Sequence, residues 1–98
     1  MGWATNHINK LKTDGTVSFR PRGDSMSGKI ESGELCTVVT TDNYSVGDIV
    51  LCKVGSRQFL HLIKAIQDDK YQIANNKGFV NGWISKDNIY GVLISVGN

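Results

Sequence analysis

A mostly β, antiparallel domain is what this sequence predicts, and three observations carry that prediction. Short strand-like runs recur after Gly15, at residues 16–20, 35–40, 48–54, 58–66, 70–74 and 89–96, rich in Val, Ile, Leu, Thr and Tyr. Clusters of Gly, Asp, Asn and Ser separate the runs, as turns require. No segment after Gly15 has the length or the 3.6-residue period of a crossover helix, and parallel strands need such crossovers.

Ahead of the strands, residues 1–15 form a helical segment. Ile8 and Leu11, with Ala4 or Trp3, make a rough apolar stripe after the polar Thr5-Asn6 pair, and Asp14-Gly15 ends it. His7 falls there among polar neighbours and is expected as a solvated helix residue. Gly55-Ser56 and Asp68-Asp69 sit between strand runs and read as hairpin turns. Gly91, inside the last run, implies a bulge or a close backbone contact.

Composition limits both the organisation and the chemistry. Ninety-eight residues, 40% of them hydrophobic, suffice for one modest core, so residues 1–98 are expected as a single domain. Eleven Lys and Arg against nine Asp and Glu give +2 with no run of like charge, so nucleic acid is not expected as a partner. No apolar stretch approaches a bilayer span and the start lacks a signal peptide's apolar region, which reads as a soluble cytoplasmic chain without a membrane partner. Cys36 and Cys52 lie inside strand-like runs without metal-ligand spacing, so buried free thiols are expected, with a disulfide across adjacent strands as the alternative. Neither a metal nor a cofactor is expected.

The stretch from Arg20 to Glu34 carries the candidate chemistry. Its candidate hydroxyl is Ser25, between Asp24 and Met26, on a corner where Pro21 fixes the approach and Gly23 accepts unusual backbone angles. A serine nucleophile needs a base within hydrogen-bond reach; without one, Ser25 is an ordinary turn or cap serine. In Phe59-Leu-His-Leu-Ile-Lys-Ala-Ile66, a period of two puts Leu60, Leu62, Lys64 and Ile66 on one face and Phe59, His61, Ile63 and Ala65 on the other. Lys64 is then the one charge on an apolar face, where loss of water favours a neutral amine able to accept a proton. The bland alternative is a lysine whose head stays in water at a sheet edge. His61, opposite Lys64, reads as a packed or surface histidine. Lys53 shares a face with Ile49 and Leu51 and competes with Lys64.

Taken together, Gly23-Asp-Ser-Met26, Ile30, Gly33-Glu34, Val46-Gly-Asp-Ile-Val50 and Leu62-Ile-Lys-Ala-Ile66 resemble the LexA-like and signal-peptidase-like serine–lysine peptidases over residues 19–96. The resemblance implies a small LexA-like antiparallel β-ribbon or partly open barrel with a short N-terminal helix, of bacterial or phage origin. It implies Ser25 as nucleophile, Lys64 as general base, and the backbone amides of Ser25 and Met26 as an oxyanion hole. The sequence departs from the family at Gly28, where a proline is common, and at Ala65, where an arginine is common. No Ala-Gly or Cys-Gly pair precedes Ser25, so self-cleavage at such a pair is not expected.

Asn75-Asn-Lys-Gly-Phe-Val-Asn-Gly-Trp83 falls where peptidase relatives carry a Gly-Asp-Asn turn. Asn76 and Trp83 are its candidate groove residues, against the alternative of a hydrogen-bonded loop that caps the barrel end with Trp83 as a plug. Two functions compete. One is a serine peptidase that hydrolyses a peptide or protein substrate through Ser25 and Lys64. The other is a catalytically idle, peptidase-like binding or regulatory module that uses a sheet edge for protein contacts, including a homodimer.

Overall fold

The computed structural model describes residues 2–97. Helix α1 (Thr5–Asp14) is followed by β1 (Thr16–Phe19), β2 (Leu35–Val39), β3 (Ile49–Val54), β4 (Arg57–Gln67), β5 (Lys70–Ala74), β6 (Val80–Ser85) and β7 (Ile89–Gly97), with a single 3-10 turn at Lys86–Asn88. The seven strands form one open sheet in the order β1-β2-β7-β3-β4-β5-β6, and every neighbouring pair is antiparallel. The architecture is thus mostly β with a short N-terminal helix, as the strand spacing and the missing crossover helices require.

Local chemistry explains most of the boundaries. Gly15 closes α1 with φ 78, a left-handed cap whose N–H bonds Leu11 O. The hairpin turn between β3 and β4 falls on Gly55 and Ser56, and that between β4 and β5 on Asp68 and Asp69, with Gly55 and Asp68 at positive φ. The sheet buries both of its faces. One carries Leu51 and Leu60 under Ile8 and Leu11 of α1 and under Met26 and Ile30 of the β1–β2 loop. The other carries Val50, Cys52 and Ile63 with Ile73, Ile84 and Ile89. The sheet curls over this second face, bringing Gly82 of β6 so near β3 that an added Cβ would lie 3.1 Å from Val54 Cγ1.

Strand β6 corrects the reading of residues 75–83 as a capping loop. Only the first part turns; from Val80 the chain pairs with β5, Gln72 opposite Trp83 and Ile73 opposite Gly82. Asn81 and Gly82 disfavour strand by themselves, but the ladder and the burial of Ile84 outweigh that preference. Trp83 does not plug the end of the sheet: it is 44% exposed.

The cysteines lie apart, Cys36 on the first buried face and Cys52 on the second, with β7 between their strands. Both are free thiols, which overturns the disulfide alternative. Burial pushes the Cys52 thiol up to about 12, and burial together with the Glu34 charge raises that of Cys36. The native protein at pH 8 should therefore resist iodoacetamide at both positions and take up two labels only after denaturation; rapid native alkylation, read by mass, would contradict this packing. Among the described residues, no helix is long and apolar enough to cross a membrane.

Candidate catalytic site

The loop between β1 and β2 is built to hold one hydroxyl in place. Its ends are tied by Gly33 N–H to Pro21 O at 2.8 Å and by Arg20 Nη1 to Gly33 O at 2.8 Å. Gly23, at φ 112, turns the chain, and its N–H donates to Ser32 Oγ. Met26 and Ile30 are buried in the core, and the Met26 carbonyl accepts the N–H groups of Lys29 and Ile30. Ser25, between these anchors, is left half-buried at the corner.

A second loop clamps the corner from the other side. Asn76 donates its backbone N–H to Ser25 O at 3.0 Å and its Nδ2–H to Ser27 O at 2.7 Å, and exposed Lys77 pairs with Asp24 at 3.2 Å. Asn76, expected as a groove residue, is thus brought to the site as a brace for the serine backbone. Trp83 is not among the residues lining the cleft around Ser25. The donors that shape the corner include the N–H groups of Gly23, Ser27, Gly28, Lys29 and Ile30; those of Ser25 and Met26 are not among them.

Ser25 Oγ lies 3.1 Å from His61 Nε2, and His61 Nδ1 lies 2.7 Å from Asn81 Oδ1. An amide oxygen can only accept, so Nδ1 carries the proton and the Nε2 lone pair faces the serine hydroxyl. The imidazole is 6% exposed and stacks on Phe59, ring centroids 4.6 Å apart. Burial lowers its pKa below the ordinary 6.5, partly opposed by the Asn81 hydrogen bond, so His61 is neutral at pH 7. Serine, histidine and asparagine share one cleft of about 510 Å³.

The expected burial of Lys64 is not found. It is the extra residue of a bulge between Ile63 and Ala65, and it is exposed, as is Ile66 beyond it, because β4 there runs past the covered part of the sheet. The side chain hydrogen-bonded to Ser25 is His61. Lys53 is also exposed, paired with Gln58 near the β3–β4 turn. His61 is packed, as its place in the strand predicts, but it is packed against the serine. A histidine between two leucines in a strand buried on both faces was the available signal, because so polar a side chain in such a place needs a partner. Asn81 carries no comparable mark in the sequence.

Beside this constellation one strand edge is open. Residues 57–61 of β4 pair only with β3, because β5 pairs with β4 from Leu62 onward. Trp3 Nε1 donates to Gln58 O at 3.0 Å, so that carbonyl points away from β3. Alternation then aims the N–H and C=O of Leu60 the same way, into the cleft it lines with Ser25 and His61. Among the described residues, no three His, Cys, Asp or Glu side chains gather as metal ligands.

A family model described as Peptidase S24-like matches residues 5–93, a span that includes Ser25, His61 and Asn81. A search of curated proteins found no match to the chain.

Proposed function

This chain belongs to the Peptidase S24-like family, and on that premise we propose that it is a serine peptidase in which His61, in place of Lys64, is the base that activates Ser25. The observation that carries the reading is the 3.1 Å approach of Ser25 Oγ to a His61 Nε2 whose lone pair is already aimed by the bond from Nδ1 to Asn81. As Oγ attacks a peptide carbonyl carbon, Nε2 takes the hydroxyl proton, and Asn81 Oδ1 stabilises the imidazolium through Nδ1–H. The imidazolium then returns the proton to the leaving amine, and a water activated by the same nitrogen releases the acyl group from Ser25. The unused amides of Ser25 and Met26 are the donors proposed for the oxyanion. An extended substrate can pair with the open edge of β4 at Leu60, which would lay a carbonyl across the serine.

Family membership supports a peptidase-like domain, and the geometry of His61 favours chemistry over the idle module. Nothing in sheet-edge association requires a buried imidazole held with its lone pair toward a hydroxyl.

The test is the pH dependence of Ser25 acylation by a fluorophosphonate probe, read by mass spectrometry. A base with its folded pKa below 6.5 loses its proton early, so labelling should climb through the acidic range, reach half its maximum below pH 6.5 and level off by neutrality. Asn81→Asp, placing a carboxylate beside Nδ1, should move the midpoint upward. A profile that rises only in the alkaline range would assign the base to an amine and refute His61. The same shift acts on stability: as pH falls below 6.5 the unfolded chain takes up the histidine proton first, so the fold loses stability from there downward through the folded pKa.

A further inference from the structure

We infer that the peptide this cleft receives is acidic, with negatively charged residues flanking an apolar one. The inference rests on the peptidase reading above and adds the substrate class. The cleft around Ser25 and His61 has an apolar lining from Trp3, Pro21, Met26, Ile30, Phe59 and Leu60, and its charged lining residues are Arg22, Arg57 and Glu31. Glu31 is occupied, its Oε2 accepting the Gly28 N–H at 2.8 Å. Arg57 lies over the Phe59 ring, 5.6 Å from its centroid, so its charge sits next to the aromatic ring that stacks on the catalytic imidazole.

The basic character extends past the cleft. A second hollow of about 300 Å³, lined by Trp3, His7, Phe19, Arg20, Pro21 and Arg22, shares Trp3, Pro21 and Arg22 with the first, so the two adjoin. Its floor is aromatic: His7 and Phe19 stack at 4.4 Å and Trp3 leans on both. Among the described residues the two ion pairs are Lys10–Asp14 and Lys77–Asp24, so Arg20, Arg22 and Arg57 have no carboxylate partner of their own. Arg22 and Arg57, with Arg20 bonded to Gly33 O beside them, outnumber the single carboxylate of Glu31 along these apolar hollows, a balance that attracts an extended chain supplying carboxylates and apolar side chains together and repels a basic one.

Binding can be measured on Ser25→Ala protein, which cannot turn the ligand over, by fluorescence anisotropy. The probes are fluorescein-labelled octapeptides sharing a Leu-Ala-Phe-Ala core flanked by pairs of Asp, Asn or Lys. The Asp peptide should bind about tenfold or more tighter than the Lys peptide, with Asn between, and the gap should shrink in 1 M NaCl, where the screening length is about 3 Å. Arg22→Gln with Arg57→Gln should remove the gap, and the double change to Glu should reverse the order, with thermal unfolding confirming that each variant is folded. Equal binding of the Asp and Lys peptides, no binding of either, or an order unchanged by charge reversal would overturn the inference. Probe labelling of Ser25 in the unaltered protein separates this from the peptidase reading: labelling without acidic preference sinks only the substrate class, whereas absent labelling sinks the peptidase.

Discussion

Replacing His61 by glutamine should slow acylation of Ser25 by roughly 10²- to 10⁴-fold, the scale on which a positioned base assists proton transfer. Glutamine keeps the length and polarity of the side chain and can still hydrogen-bond to Asn81, but it has no lone pair basic enough to take the serine proton. Ser25→Ala should abolish labelling altogether. Lys64→Met should leave the rate near that of the unaltered protein, because Lys64 is exposed on a bulge while the hydrogen bond of the serine side chain goes to His61. Rates measured side by side decide between the two bases: a large loss in Lys64→Met with none in His61→Gln would exchange their roles.

The largest effect on stability is expected from one methyl group at Gly91. This residue lies buried in β7, opposite Leu51 of β3. A Cβ there would come within 2.7 Å of Val39 O, 2.8 Å of Leu11 Cδ2 and 2.8 Å of Val38 Cγ1. The leucine and valine side chains can yield, but the carbonyl belongs to the backbone of β2 and cannot move without disturbing the ladder to β7. Overpacking of this kind costs about 1–3 kcal/mol. For a domain of this size, Gly91→Ala should lower the melting temperature by on the order of 10 °C. Gly97→Ala, whose added methyl meets nothing within 4 Å, should melt with the unaltered protein. Equal melting of the two variants would show that β7 does not press against β2 and α1 in this way.

Much of the scaffold was legible because its signals are local. The turns at Gly55-Ser56 and Asp68-Asp69, the cap at Gly15 and the strands around them depend on residues within a few positions of one another, and each falls where its own side chains and backbone freedom put it. Gly91 was legible as a close contact, although not which backbone it approaches. Strand β6 was missed because Asn81 and Gly82 prefer turns, and only the partner strand β5 and the burial of Ile84 make the segment extended.

The candidate site divides along the same line. Ser25, on its corner between Gly23 and the buried Met26, could be singled out from the sequence, because much of the loop that presents it is held by bonds among its own residues, although Asn76 braces it from a distant loop. The alternation of β4 holds as far as Ile63, with Leu60 and Leu62 on one face and Phe59 and Ile63 on the other, but the bulge at Lys64 interrupts it. Which face meets the serine was left to the tertiary structure. It depends on where a loop from one end of the sheet crosses a strand 36 residues later, and on β6 curling back to bring Asn81 within 2.7 Å of the imidazole. Periodicity along one strand cannot report such long-range approaches. A proton is transferred only across a hydrogen bond, so the residue that can act as base is selected by that meeting of loop, strand and curled edge.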